Sequence, residues 1–258
     1  MIYIISGILI FITTLNINGQ FKMTPKKTKP FRSGESLRYS LKYGPIHGGD
    51  AIIELKLVKY ENKTAYHSKL LAKSVGITDK LFRVRDSYES YFDPKNYSPY
   101  KAIRNIREGN YTFYNEVSFH LEDSVLYSQI SDSVFKVPPG ILDMVSTLYF
   151  IRGIDYKELE IGDSLNIITF FSDEIFPFPI RYKGKEIIKT KLGKFRCLVF
   201  VPVVETGRIF ESEDDMTIWI SDDKNLIPIR VKFDLLVGSI KCDLSEYSCL
   251  KYDFKPLE

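Results

Sequence analysis

Strict alternation of apolar and polar residues is the feature that most constrains how this chain folds. Between Glu35 and Tyr43, Leu37, Tyr39 and Leu41 share one face of an extended segment, and the residues between them are polar or charged. The pattern recurs along the chain, separated by short connections rich in Gly, Pro, Asn and Asp. Because strands joined by short turns are antiparallel neighbours, the sequence predicts an all-β fold.

The predicted strands number more than ten, and one helix interrupts them. After the first hairpin, strands are expected over residues 64–72, 83–92, 100–108, 111–121, 125–130, 165–171, 180–190, 196–204, 216–221, 227–235 and 239–247. Residues 140–151 instead repeat apolar side chains at helical spacing, which predicts a short amphipathic helix whose Met144 and Leu148 form a helix lid. Large sheets twist and close. We therefore expect a strongly curved antiparallel sheet forming a closed or nearly closed barrel, plugged by the helix; a two-layer sandwich is the alternative.

The amino terminus predicts export. Residues 2–15 form an apolar run of 14 residues, shorter than the roughly 20 that a spanning helix needs and typical of a secretory signal. We expect a signal peptide at 1–19, a flexible basic linker at 20–32 and a single β domain at 33–258. An uncleaved anchor and a buried strand are the alternatives. The cysteines, at positions 197, 242 and 249, lie far from the cleavage region, so we expect a periplasmic or extracellular protein that is soluble and not a lipoprotein.

The charge balance of the whole chain bears on two classes of partner. The chain has 36 Lys and Arg against 33 Asp and Glu, a formal net charge of +3. This charge is too balanced to imply binding to nucleic acid or to an anionic membrane surface. We therefore expect no nucleic acid partner.

Several segments resemble an exported bacterial family. They cover residues 82–94, 103–109, 190–197 and 213–228, and the similarity spans roughly residues 33–250. The family is catalogued as domain of unknown function 3108, so the resemblance implies an exported protein but no activity and no site residues. More distantly, two hairpins with the pattern D-x-K-N-x-x-P are similar to those of periplasmic lipoprotein carriers, which are curved half-barrels with helices lining an apolar cavity. That likeness concerns the fold and does not establish function.

Known catalytic and metal-binding patterns are not found in the sequence. His47, His67 and His120 show no metal-ligand spacing, and there is no G-x-S-x-G motif or Gly-rich phosphate loop. The acidic run at 211–215 lacks the spacing of a calcium loop and is interpreted as a solvated turn. We expect no catalytic residues, no metal and no cofactor.

Basic residues form the first candidate site. If residues 93–99 close a hairpin, Phe92 lies opposite Tyr100 and Arg85 opposite Arg107, and these arginines share their face with two further cations, Arg83 and Lys101. Like charges directly opposite each other are destabilising. Either an anionic ligand lies between the arginines, since a guanidinium donates two parallel bonds to a phosphate or carboxylate, or the side chains extend into solvent.

The second candidate surface is on another hairpin. Placing Ile218 opposite Val231 and Met216 opposite Phe233 puts apolar residues on the core face and sets Trp219 opposite Arg230 on the outer face. Trp219 either stacks beneath the Arg230 guanidinium or marks a surface that contacts a partner.

Three function classes remain open. The leading hypothesis is a non-catalytic cell-envelope protein that binds an apolar or lipid-like ligand. The alternatives are an envelope scaffold or assembly factor acting through protein contacts, and an enzyme of unrecognised type. A connected apolar cavity would favour the first, an exposed edge strand the second, and a cleft of hydrogen-bonded titratable groups the third.

The signal sequence gives a direct prediction. The chain isolated from its native cells is expected to begin near Gln20, because cleavage after Gly19 removes the apolar run. N-terminal sequencing of the protein from a soluble envelope fraction checks this. A membrane-bound form that begins at Met1 would contradict it.

Overall fold

A computed structural model of the chain describes residues 21–203, 212 and 214–258. In this part of the chain fourteen strands form one sheet with two short helices. The strands of the first half are β1 (Ser36–Tyr43), β2 (Ile46–Tyr60), β3 (Lys63–Ser74), β4 (Arg85–Phe92), β5 (Pro99–Glu108), β6 (Tyr111–His120), β7 (Val125–Ser128) and β8 (Ser133–Lys136). Those of the second half are β9 (Ser164–Phe171), β10 (Glu174–Thr190), β11 (Gly193–Pro202), β12 (Met216–Ser221), β13 (Pro228–Asp234) and β14 (Ser239–Ser248). The helices are α1 (Gly76–Leu81) and α2 (Met144–Arg152).

The sheet consists of two antiparallel meanders joined in the middle. Its strand order is β8-β7-β6-β5-β4-β3-β2-β1-β14-β13-β12-β11-β10-β9. Strands that are consecutive in sequence therefore pair with each other, except β8 and β9 at the two edges, and the two halves join where β1 pairs with β14, Leu37 opposite Tyr247 and Leu41 opposite Cys242. The all-β antiparallel prediction is confirmed, and a single continuous sheet replaces the sandwich alternative.

Side-chain packing, rather than hydrogen bonding, brings the two ends of the sheet together. Phe170 lies on the face of β9 opposite Leu165 and Ile167, and it joins a small apolar cluster with residues of β6 and β7. That cluster comprises Val117, Phe119, Leu126, Val137, Ile141 and Phe170. The free edge of β9 also pairs with Leu142, whose N–H donates to Ile168 O (3.0 Å). The barrel is thus nearly closed, with the outer face of β9 packed on the opposite end of the sheet.

The predicted elements differ from the structure at three places. The short edge strand β8 and the six-residue helix α1 were not predicted, and β10 begins at Glu174 rather than near residue 180. The first part of β10 contains proline at positions 177 and 179. Because proline cannot donate a ladder hydrogen bond, this stretch does not have the sequence pattern of a strand. These elements were not predicted because each segment is too short, or too rich in proline, for a helical or strand periodicity to be recognisable.

The helix begins later than the apolar spacing predicts. Gly140 has φ +79°, and Ile141 and Leu142 extend along the edge of β9. The helix starts after Asp143, whose carboxylate accepts from the N–H groups of Val145 (2.8 Å) and Ser146 (3.1 Å). The edge pairing therefore uses the residues that would have formed the first turn.

Residues 20–32, predicted to be a flexible linker, are held against the domain in their described part. Lys26 N–H donates to Gly153 O (2.7 Å), Asp155 N–H donates to Thr24 O (2.8 Å), and Phe21 packs against the core. Phe31 is buried, with its ring 4.9 Å from that of Tyr149. This basic segment thus also carries three apolar side chains, Phe21, Met23 and Phe31, that pack in or against the core, and its backbone pairs with the chain just after α2.

A fully buried ion pair fixes α2 inside the barrel. The Arg152 guanidinium donates two parallel bonds to the Glu35 carboxylate (2.5 and 2.9 Å) and a third bond to Asn225 O (3.1 Å). Phe31 and Tyr149 lie beside the guanidinium at 5.2 and 5.6 Å. The pair links the start of β1, the end of α2 and the β12–β13 turn, so one interaction orders three distant parts of the chain.

Breaking this pair should strongly destabilise the fold. Glu35→Gln leaves the Arg152 charge buried without its counterion and is expected to lower the free energy of unfolding by about 3–5 kcal/mol. Glu35→Leu combined with Arg152→Met should cost less than either single change, because no charge is then stranded. Urea denaturation measures each value. Glu246→Gln, which breaks the exposed Arg38–Glu246 pair (3.1 Å), serves as control and should change stability by less than about 1 kcal/mol. A Glu35→Gln cost equal to that of the control would contradict the role assigned to the pair.

Candidate functional site

The interior of the barrel has two unlike ends. Helix α2 lies at the end where β2 joins β3 and β12 joins β13; we call this the closed end. The β1–β2, β3–β4 and β13–β14 connections lie at the other, which we call the open end. At the closed end the inward side chains of Leu37, Leu55 and Phe92 are fully buried. The helix therefore fills one half of the interior.

Inward-facing apolar side chains near the open end remain partly exposed. On β1, Leu37 is fully buried whereas Leu41, on the same face, is half-buried. On β12, Ile220 is 3% exposed whereas Ile218 is half-buried. We call this lining the cup; its apolar members are Leu41, Leu70, Phe113, Phe178 and Ile218.

A pair of buried acids lies on the inner face near the open end. Asp86 and Glu108 belong to β4 and β5 and are each 4% exposed. Burial raises the pKa of both carboxyls, and the charge of Asp86 raises that of Glu108 further. The backbone N–H of Arg107 donates to Asp86 Oδ1 (3.1 Å), whereas Glu108 Oε2 is buried with no hydrogen-bond donor among the described residues. Burial and a side-chain hydrogen bond with Asp86 therefore favour the protonated form of Glu108.

Arg104 lies on the same inner face and reaches across the seam of the barrel. Its guanidinium is 4.7 Å from the Phe113 ring and 4.5 Å from the Phe171 ring, and it donates to Ser172 Oγ (2.9 Å). It thereby connects β5 with the β9–β10 turn. The cation packed between two rings holds the ends of the sheet together beside the cup.

The predicted arginine register is confirmed. Ser87 pairs with Asn105 and Val84 with Glu108, so Arg85 lies opposite Arg107 between these pairs. A bulge after Tyr91 shifts only the last pair, which sets Phe92 opposite Pro99 rather than Tyr100. Lys73 on β3 pairs with Arg85, which places three cations in a row across three strands.

This row lies on the outer face and borders a shallow groove of about 460 Å³. Arg85 donates to the Asp79 carboxylate (2.7 Å) and to Ser74 O (3.3 Å). Hydrogen bonds from Arg85 and Ser74 lower the pKa of Asp79 to about 2, so its charge persists at all ordinary pH values. Arg38 and Asp50 line the far side of the groove. Because Arg85 faces outward and the cup inward, the cations do not contact a ligand in the cup.

The other two predicted basic residues lie outside the groove. Arg83 is largely exposed, with its Nε 3.6 Å from Asp79 Oδ2. Lys101 forms an ion pair with Glu116 further along the outer face. Of the four residues predicted as one anion patch, only Arg85 and Arg107 line the groove.

The predicted helix lid is oriented differently. Met144 is 43% exposed and Leu148 is half-buried, whereas Val145, Tyr149 and Arg152 form the buried face of α2. The Ser68 hydroxyl donates to the Tyr149 hydroxyl (3.0 Å), and that of Ser90 to Asp143 Oδ2 (2.6 Å). Polar contacts of this kind do not follow from apolar spacing. Met144 and Leu148 lie on the less buried side of α2, and their role as a lid stays a prediction.

The second hairpin keeps its predicted register over four pairs. Met216 lies opposite Phe233 and Trp219 opposite Arg230, and a bulge follows at Ile220. Arg230 donates to Asp243 (2.5 Å) instead of covering the indole. Trp219 Nε1 donates to Glu186 (2.7 Å) while its ring packs partly against the core. The predicted stack of Arg230 on Trp219 is thus replaced by two separate carboxylate contacts.

The remaining reactive groups show no shared site. Cys197, Cys242 and Cys249 are free thiols, and burial raises the pKa of Cys197 to about 12. Within the described ranges, no three His, Cys, Asp or Glu residues are grouped to hold a metal ion. Nor does any helix of those ranges have the length and apolarity to cross a membrane.

The sequence prediction placed the candidate site on the outer face and did not include the inner acids. A signal was present: Asp86 alternates with Tyr88, Ser90 and Phe92, which places a carboxylate on the core face of β4. Glu108 holds the equivalent position beside Ile106 on β5. A charged residue in phase with buried positions is informative because it needs a partner.

Comparison with known proteins gives a family and a fold. No curated protein matches significantly. A crystal structure of a beta-barrel-like protein of domain of unknown function DUF1849 from Brucella abortus is similar at 10% identity and TM-score 0.54, covering 86% of this chain and all of that one. A DUF1089 family protein from Pseudomonas aeruginosa aligns at 10% identity and TM-score 0.38 over 73% of this chain and 90% of that one. The first supports a barrel-like architecture, and the second carries no argument. The family model described as Protein of unknown function (DUF3108) matches residues 38–245, and the chain belongs to that family.

Proposed function

We propose that the chain is an exported, non-catalytic cell-envelope protein that binds an apolar or lipid-like ligand in the cup. The observation that carries this proposal is the contrast along single strands between buried and half-exposed side chains on the same inner face. Leu37 and Ile220 are buried, whereas Leu41 and Ile218 are not. A ligand that covers the exposed apolar area gains about 25 cal/mol per Å².

The acid pair, Asp86 and Glu108, provides polar groups beside the apolar lining of the cup. Ligand sites are mostly apolar with a few polar groups that fix orientation. Asp86 and Glu108 lie on β4 and β5, between the strands β3 and β6 that carry Leu70 and Phe113 of the cup, and Arg104 on β5 reaches Ser172 at the seam. A hydroxyl or amide at the polar end of a lipid-like ligand would find both a proton donor and an acceptor in this pair.

The scaffold alternative rests on the edge strands. β8 is an open edge, and Val134 on it is 66% exposed. However, β8 has four residues and ends in Lys136, and short charged edges discourage pairing with another chain. The edge of β9 is partly covered by Leu142. The cup is therefore the better supported site.

Substituting the cup lining should weaken ligand binding. Leu70→Gln puts an amide on the inner wall and is expected to weaken binding of a fluorescent fatty-acid probe about tenfold, through loss of about 1.4 kcal/mol of apolar contact. Leu71→Gln is the matched control: Leu71 is the next residue on β3, faces outward and is 38% exposed. Fluorescence titration and far-UV circular dichroism of both variants separate binding from folding. Equal affinity of the two folded variants, or no probe binding by the parent protein, would refute the cup as the binding site.

The acid pair should make the stability of the fold decrease as the pH rises. Because the pKa values of Asp86 and Glu108 are raised in the folded state, the folded protein holds more protons than the unfolded chain above about pH 4. Stability therefore falls as the pH rises from about 4 toward the folded pKa values, by at most about 1.4 kcal/mol per pH unit for each extra proton held. The Asp86→Asn, Glu108→Gln double variant should lose this slope in urea unfolding measured from pH 4 to 8.

Glu116 provides a control, because its pKa is shifted in the opposite direction from those of Asp86 and Glu108. Its pKa is lowered by Lys101 and Tyr114, so its contribution to stability is lost as the pH falls. Glu116→Gln should leave intact the fall in stability above pH 4. A double variant at Asp86 and Glu108 with the slope of the parent protein would show that this pair holds no extra proton.

A further inference from the structure

Three neighbouring connections at the open end expose large apolar side chains. They are the β1–β2 turn, the segment containing α1, and the β13–β14 turn. We call their exposed apolar residues the rim: Tyr43, Ile46, Ile77, Leu81, Phe82, Leu236 and Val237, exposed by 36–80%. A contiguous exposed apolar patch on a soluble domain marks an interaction surface.

Contacts between the connections make the rim continuous. The Tyr43 hydroxyl donates to Val237 O (2.9 Å), which joins the first turn to the last. Val75 N–H donates to Gly48 O (3.0 Å), which joins the α1 segment to β2. Phe82 lies over Gly109 of the β5–β6 turn so closely that a Cβ there would be 2.9 Å from the ring. The rim therefore runs around one side of the open end.

Helix α1 presents its apolar residues to solvent. Ile77 and Leu81 are four residues apart, on one face, and are 64% and 80% exposed. None of its residues is buried. The helix is anchored instead by Asp79, which accepts from Ser74 Oγ (2.6 Å) and from Arg85. Its two exposed apolar side chains thus contribute little to the fold.

Cations flank the rim on the outer wall. They are Lys42, Lys73, Lys80, Arg83, Arg85, Arg107 and Lys241. The nearby carboxylates are fewer: Asp79 is bonded to Arg85, Asp50 is bonded to His47 (2.9 Å), and Asp234 at the β13–β14 turn is bonded to Lys232 (2.7 Å). On the β11–β12 connection, beyond β13, Asp214 pairs with Arg181 and Lys183. The basic side of the open end is therefore the side that carries the rim.

We propose that the open end docks on a lipid bilayer that contains anionic headgroups. Apolar side chains at the tip with basic residues behind them match the two layers of such a surface, because the side chains enter the headgroup boundary and the cations meet lipid phosphates. This orientation places the mouth of the cup at the bilayer. The inference concerns the rim and its cations and does not require the cup to be occupied.

Vesicle binding by the full mature chain tests the proposal. The protein is expected to float with vesicles of phosphatidylcholine and phosphatidylglycerol in equal parts, and much less with phosphatidylcholine alone, since cations near an anionic surface strengthen binding. Raising the salt concentration should reduce binding to the mixed vesicles. Failure to float with the mixed vesicles, or equal binding to both, overturns the proposal; in the first case the rim would be a surface for a soluble protein partner.

Two variants and a matched control locate the contact. Ile77→Gln with Leu81→Gln should lower the partition coefficient by about tenfold or more, and Lys73→Gln with Arg107→Gln should do the same on mixed vesicles only. Ile161→Gln with Ile187→Gln changes side chains that are 76% and 63% exposed away from the rim, and should leave binding unchanged. Binding of the Ile77/Leu81 variant and of the Lys73/Arg107 variant at the level of this control overturns the inference. Probe binding in the cup is measured separately, so loss of one function is distinguishable from loss of the other.

Discussion

The ion pair between Glu35 and Arg152 joins the first strand of the sheet to the last residue of α2, and the two-ended form of the barrel depends on it. Two charges without solvent contact require each other, and the guanidinium also holds Asn225 O in the β12–β13 turn. The position of α2 is therefore set by charge and by the cap at Asp143 as much as by apolar burial. With the helix fixed at the closed end, the inner face at the open end is left only partly covered.

Closure of the barrel also depends on contacts between side chains that are distant in sequence. The edge strands β8 and β9 share no hydrogen bonds; a cluster around Phe170 and the guanidinium of Arg104 between two rings bring them together. Contacts between side chains tolerate displacement better than a hydrogen-bond ladder does. The seam next to the cup is thus the part of the wall that no hydrogen-bond ladder holds.

The cup, the acid pair and the rim belong to one end of the molecule, and under the proposed function each would supply a different requirement of lipid binding. Half-exposed side chains such as Leu41 and Ile218 provide apolar surface, Asp86 and Glu108 provide a polar group, and Ile77 and Leu81 reach beyond the barrel. The outer cations, first considered as a headgroup site, lie on the wrong face for a ligand in the cup. They are placed instead where a bilayer surface would meet them.

The sequence by itself determined the all-β class, the antiparallel order, the presence of α2 and the register of two hairpins, including Arg85 opposite Arg107. These follow from alternation and turn chemistry, which are local. Only the tertiary structure decided that Arg152 pairs with Glu35, 117 positions away, that the sheet closes through side chains, and that Met144 faces solvent. It also decided which end is filled. The period of a strand shows which residues share a face, but whether that face is covered depends on elements that are distant in sequence.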